Sequence, residues 1–206
     1  MTDTAPGVRG GFPDMKPVED APEELGPFVA ALRRLQDLTV STRPDSALWA
    51  DATVYLENAC ALLDGHQVPE TEAVAGRVLS LPGLAHPLMP PWMVTETGPD
   101  GVRMTGHFTT AHIGGNNAVH GGMIPLFYDW LFGMVVTTAQ IPPTRTAFLH
   151  VDYRNITPID EPLTAQGRIS RIEGRKVFID ATMTAADGTL LTEANGLMVR
   201  LLPHQP

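Results

Sequence analysis

The chain has 206 residues, 43% of them hydrophobic, which suits one core-forming domain with an extension, or one modest and one small domain. A formal net charge of −9 argues against a nucleic-acid surface, and the single cysteine, Cys60, rules out an internal disulfide or a cysteine metal framework. That cysteine usage fits a reducing compartment, the N-terminus lacks a basic-then-apolar leader pattern, and no segment reads as a membrane span, so a cytoplasmic location is expected.

Residues 1–19 are rich in Gly, Pro and Asp and are expected to form a disordered or loosely attached tail. A helix is predicted with Asp20 as N-cap and Pro22, Glu23 and Glu24 in its first turn. Phe28, Leu32, Leu35 and Leu38 then recur at the amphipathic period. A second helix starts at Asp45 or Ser46, with Leu48, Ala52, Tyr55, Leu56, Ala59, Leu62 and Leu63 as its apolar positions. Together they read as a helical hairpin with Trp49 and Cys60 in its core, too small to be an independent domain. Pro69, Pro82, Pro87, Pro90 and Pro91 make 64–91 a loop. The expected organisation is therefore a tail over 1–19, a helical extension and Pro-rich loop over 20–91, and a main domain over 92–206.

From Trp92 the pattern changes to strands. Segments 93–97 and 102–109 flank the turn Gly98-Pro99-Asp100-Gly101. A Gly/Asn-rich loop, HIGGNNAVHGG, leads into the apolar helix MIPLFYDWLFGMVVTTA, with Pro125 close enough to its start to cost no internal hydrogen bond. Four strand-like segments follow at 146–157, 163–172, 177–185 and 190–201, with turns at Glu173-Gly174 and Asp187-Gly188. In the first of them Ala147, Leu149, Val151 and Tyr153 alternate with Phe148, His150, Asp152 and Arg154. A hairpin, a central helix and a four-strand antiparallel run can bury that helix only if the sheet curls around it.

Between Arg103 and Arg145 the one formally charged side chain is Asp129. A helix apolar on all sides should be buried, and a buried carboxylate needs a partner or a task. With no Lys or Arg nearby in sequence, Asp129 is the leading functional candidate.

Three pieces in this element order carry a family resemblance: His120-Gly121-Gly122, an Asp nine residues after that His, and TAFLHVDYRNITP at 146–158. Over roughly 92–202 the chain resembles hotdog-fold acyl-CoA thioesterases of the PaaI and 4-hydroxybenzoyl-CoA type. The resemblance implies an α+β hotdog fold, an antiparallel β-sheet wrapped around a central apolar helix, here with an N-terminal helical extension. It implies hydrolysis of acyl-CoA thioesters to free acid and coenzyme A, with no cofactor beyond the coenzyme A of the substrate and no metal. Asp129 would then be general base or nucleophile. Unsatisfied N–H groups at a helix start suit a developing oxyanion, which points to Gly122 as main donor and Gly121 as second. Thr146 would position water beside Asp129, and His120 would orient the loop or touch substrate. Asn116 and Asn117 would hold a water or the thioester carbonyl, or simply form the turn, since the family's Asn falls where this chain has Gly114 or Gly115. Arg154, Arg171, Arg175 and Lys176 are candidates for the coenzyme A phosphates, or else solvated strand ends. Met123, Phe127 and Trp130 are core residues or acyl-tunnel walls.

Gly122 and Asp129 are seven residues apart, roughly 10 Å along a helix, so two antiparallel central helices serve one carbonyl more easily than one. A homodimer with active sites at its interface is expected, with a tetramer left open. Two alternatives stand: a non-catalytic acyl-CoA binding hotdog protein, and a hotdog hydratase or dehydratase. For the latter, Gly106-His107-Phe108 matches a dehydratase start, but the Glu required fourteen residues after that His is Gly121, and Asn116 and Asn117 stand where a hydratase has its Asp–His pairing. The helical extension carries Arg33 and Arg34 as its basic pair, too little for DNA.

Overall fold

The computed structural model describes residues 16–99, 101–202 and 205, with the backbone of the short paired strands β1 (Val8–Arg9) and β2 (Phe12–Pro13). Most of the expected tail, and Asp100 of the expected turn, lie outside the described residues. Residues 16–18 are tied to the loop by Val18 N–H on Arg77 O at 2.9 Å and by Arg77 Nε on Lys16 O at 2.7 Å.

Strands β3 (Met93–Gly98) and β4 (Gly101–Gly106) form the first hairpin. The small ladder β5 (Ile113–Gly115) and β6 (Ala118–Val119) precedes helix α3 (Met123–Thr138). Then come β7 (Thr144–Tyr153), β8 (Leu163–Glu173), β9 (Lys176–Ala185) and β10 (Leu190–Arg200). The six long strands make one antiparallel sheet in the order β3-β4-β8-β9-β10-β7, which leaves β7 at an edge. Helix α3 touches both β4 and β7, the second and sixth strands in that order. On a flat sheet those lie about 19 Å apart, wider than a helix of about 10 Å. The sheet therefore curls around α3, which is the hotdog architecture that the element order predicts.

Helix α3 buries Ile124, Phe127, Tyr128, Leu131, Phe132, Val135 and Val136 against the sheet. Those positions follow the 3.6 period, so one stripe rather than the whole circumference is covered. The expectation of an Asp129 buried within an all-round apolar helix is corrected accordingly. Asp129 lies on the opposite flank and is exposed, with Met123, Trp130 and Met134 half-buried beside that stripe. Phe127 is fully buried, its ring centroid 4.3 Å from Trp92, and Trp92 stands 5.7 Å from Phe108. Phe127 is thus a core residue and not a tunnel wall. The sheet comes close under the helix at Gly196, where a Cβ would meet the Phe132 ring at 2.5 Å.

In the N-terminal region, α1 (Leu25–Ser41) is capped at Glu24 rather than at Asp20, because Pro22 O accepts the Leu25 N–H in a turn ahead of it. Phe28 and Leu38, expected on its apolar face, are exposed; Val29 is its buried residue. Arg33 staples the Pro-rich loop by donating to Pro82 O (2.9 Å), His86 O (3.1 Å) and Met89 O (3.3 Å). Helix α2 (Ser46–Leu63) starts where the sequence predicts, with Asp45 Oδ1 accepting the Leu48 N–H at 2.9 Å. It has no buried residue. Trp49 and Cys60, expected in a hairpin core, are exposed because none of the described residues covers that side of α2.

Candidate active site

The exposed flank of α3, the loop before it and the edge strand β7 bring chemistry together at two places. At the first, Thr146 Oγ1 on β7 donates to Asp129 Oδ1 on α3 at 2.6 Å. A regular strand would turn Thr146 to the same face as Phe148 and His150. Between Leu197 and Met198 the pairing of β10 with β7 jumps from Phe148 to Thr146 and leaves Ala147 as a bulge. The bulge re-aims Thr146 toward the helix while Leu149, Val151 and Tyr153 also face it, a device common next to active sites. The same hydroxyl lies 3.3 Å from Met198 Sδ.

At the second place, the Gly121–Gly122 peptide is held at both ends. Gly121 O accepts from Tyr153 Oη at 2.7 Å, and Gly122 N–H donates to His120 Nδ1 at 3.0 Å. His120 in turn is anchored by its own N–H on His112 O at 2.8 Å. The expected main oxyanion donor is therefore engaged by the His120 ring in this conformation, while among the described residues the Gly121 N–H meets no acceptor. Gly121 and Gly122 are exposed, open to an approaching carbonyl. Nδ1 as acceptor puts the imidazole hydrogen of neutral His120 on Nε2.

Two clefts flank the start of α3. One, of about 500 Å³, is lined by Val119, Gly121, Ile124, Tyr153, Arg154 and Asn155, among others. The other, about 370 Å³, lies between α1 (Gln36, Thr39, Val40), the Pro-rich loop (Pro87, Leu88), His112 and Met123. His112 is pushed below the usual histidine range by burial, partly offset by the Thr109 backbone and Asp37. Its Nδ1 accepts the Thr109 N–H at 2.9 Å, and Asp37 Oδ1 accepts the Ala111 N–H at 2.8 Å, so α1 braces the loop that carries His120.

Other expected site residues fall elsewhere. Asn116 and Asn117 both have positive φ (51° and 56°) and form the tight turn between β5 and β6. Arg154 is paired with Glu193 (2.7 Å) and Asp152 (3.1 Å) at one end of β7. Arg175 and Lys176 sit at the β8–β9 turn near the other end, where Arg175 donates to Arg200 O at 3.0 Å. The three cations do not form one cluster. Arg171 stacks on Phe178, 3.7 Å from the ring centroid, and pairs with Glu173. Among the described residues no group of His, Cys, Asp or Glu could hold a metal ion. Tyr153 and His112 were missed as site residues. Tyr153 stood in the quoted strand motif, but its reach to Gly121 is a tertiary fact that no local pattern encodes.

The family model described as "Thioesterase superfamily" matches residues 116–192, the stretch that holds both places. The acyl-coenzyme A thioesterase THEM4 of Rattus norvegicus is 35% identical over 89 residues, 43% of this chain and 38% of that protein. The chain thus spans well under half the length of this relative. A solved structure of a thioesterase superfamily protein is 26% identical with a TM-score of 0.75, covering 89% of this chain and 97% of its own. Coverage that wide extends into the N-terminal helical region. At the level of fold alone, a hypothetical thioesterase protein from Streptococcus pneumoniae, solved with coenzyme A, is 17% identical with a TM-score of 0.51 over 56% of this chain and 88% of its own.

Proposed function

We propose that this chain, which carries the hotdog fold and a thioesterase superfamily segment, hydrolyses acyl-CoA thioesters to a free acid and coenzyme A. The observation that carries the reading is the exposed Asp129 carboxylate held by Thr146 at 2.6 Å on the central helix. The hydroxyl occupies Oδ1 and leaves the second oxygen for a water. Asp129 takes a proton from that water as it attacks the thioester carbon, and the oxyanion that forms is met by the unengaged Gly121 N–H of the His120-Gly121-Gly122 loop. The C–S bond then breaks and the thiolate leaves as the thiol, with the proton Asp129 had taken. Direct attack by Asp129, giving an anhydride that water opens, uses the same residues.

The distance along α3 between Gly122 and Asp129, roughly 10 Å, argues for a homodimer in which each site joins the loop of one copy to the Asp129 of its partner. The uncovered flank of α3 and the edge position of β7 support the same assembly. The cleft beside Met123 is the candidate acyl pocket, so α1 and the Pro-rich loop would set chain length. Measuring thiol release from acyl-CoAs of short, long and aryl type, for wild type and Asp129→Asn, tests the reading. Turnover lost in a folded mutant supports it. Turnover unchanged by the mutation removes Asp129 from the mechanism, and binding without turnover favours a non-catalytic acyl-CoA binding protein.

A further inference from the structure

We propose that α2 pairs antiparallel with the α2 of a second copy of this chain, through a surface separate from the proposed catalytic site. Over its 18 residues the helix has no buried residue, yet Leu48, Tyr55, Leu62 and Leu63 are 57%, 76%, 78% and 55% exposed. Trp49, Val54 and Leu56 add to this surface. Together they expose apolar area on the order of the 800 Å² that each partner of a standard interface buries. A monomer rarely leaves so much of it on one element.

The spacing says what covers it. Leu48, Ala52, Tyr55, Ala59 and Leu62 alternate steps of four and three, the heptad seam of a helix pair. One class of seam position, a, holds alanine (Ala52, Ala59), and the other, d, holds a large residue (Leu48, Tyr55, Leu62). A parallel pair would set alanine level with alanine and tyrosine level with tyrosine, leaving gaps and crowding in turn. Reversing one helix sets each a level with a d, so each alanine faces a large residue and the third large residue of each helix closes one end of the seam, the interdigitation a packed core needs. The flanks agree. Trp49, Leu56 and Leu63 line one side of the seam and Asp51 and Asn58 the other, and antiparallel pairing places apolar flank on apolar flank. The helix carries no Lys or Arg, which weighs against an anionic membrane surface as the occupant.

Sedimentation velocity over a dilution series on the full chain tests this. Leu48→Glu/Leu62→Glu and Leu48→Lys/Leu62→Lys are each expected to halve the assembly mass or raise its dissociation concentration at least tenfold. Circular dichroism should remain that of wild type, since neither position touches the core. Mixing the acidic and basic variants is expected to restore the wild-type mass. In a Cys60→Ser background, a chain with Leu48→Cys should cross-link to a chain with Ala59→Cys, the a–d layer of the antiparallel pair, and not to itself. A monomeric wild type, a mass insensitive to both double variants, failure of the mixture to reassociate, or self-linkage at Leu48→Cys would each overturn the antiparallel pairing.

Discussion

The Thr146 hydroxyl donates to Asp129 Oδ1 across 2.6 Å, tying the bulged start of the edge strand to the open flank of the central helix. A carboxylate exposed on an otherwise apolar face would sample several rotamers; one short hydrogen bond selects among them. Under the proposed function, Asp129→Asn removes the base and should lower kcat by roughly 10²–10⁴-fold. Thr146→Ala leaves the base in place but loosens it, so a smaller fall of about tenfold is expected, with Thr146→Ser retaining most of the rate. Steady-state kinetics on the three variants, with melting curves to confirm folding, check the order.

Tyr153 and His120 grip the same peptide from opposite ends, at 2.7 Å on Gly121 O and 3.0 Å on Gly122 N–H. Losing one such bond at an exposed site should cost about 1 kcal/mol of stability or less. The larger effect is expected in rate, because the peptide orients the candidate oxyanion donors. Tyr153→Phe should reduce kcat about tenfold with little change in KM. His120→Gln, whose side-chain oxygen can accept the Gly122 N–H, should stay more active than His120→Ala. A change confined to KM would instead mark these residues as substrate contacts.

The strands after Trp92, the helix at 123–138 and their order were legible because period 2 and period 3.6 are written in local sequence. Asp129 stood out because a lone charge in an apolar run violates that pattern. Its exposure was not legible, since composition cannot distinguish a helix covered on one flank from one covered all round. Alternation alone would turn Thr146 away from the helix, and it was the family resemblance that put it beside Asp129; the bulge at Ala147 is fixed by pairing with β10, far away in sequence. The Tyr153 contact and the uncovered α2 were hidden for the same reason, since both depend on what does or does not pack from elsewhere in the chain.

Stability should fall at both ends of the pH scale, for separate reasons. Burial lowers the affinity of His112 for a proton, and its Nδ1 must stay unprotonated to accept the Thr109 N–H. The unfolded chain therefore takes up the proton first: stability is complete above about pH 6.5 and declines as pH drops below it. Burial of Tyr128, whose hydroxyl sits 2.7 Å from Thr192 Oγ1 and donates to Thr192 O at 3.0 Å, raises its pKa. Here the unfolded chain ionises first, so stability is complete below about pH 10 and is lost as pH climbs above it. Melting temperatures across this range should trace a plateau with two shoulders. His112→Gln should flatten the acid shoulder, and Tyr128→Phe the alkaline one.

Gly196 gives the most direct test of how closely α3 is seated on the sheet. An added Cβ there would lie 2.5 Å from the Phe132 ring and 2.8 Å from Phe148 O, with backbone on one side and a fully buried aromatic on the other. Neither neighbour has a flexible end to swing away, so relief must come from shifting the helix off β10. Gly196→Ala should therefore destabilise the fold by about 1–3 kcal/mol, the cost of overpacking. Gly133, on the same helix, has open space where its Cβ would go. Gly133→Ala is expected to be neutral or to stabilise by up to about 1 kcal/mol through helix propensity. Denaturant melts of the two variants should move in opposite directions or differ by at least about 1 kcal/mol. Equal midpoints would mean that helix and sheet are seated less tightly than these contacts require.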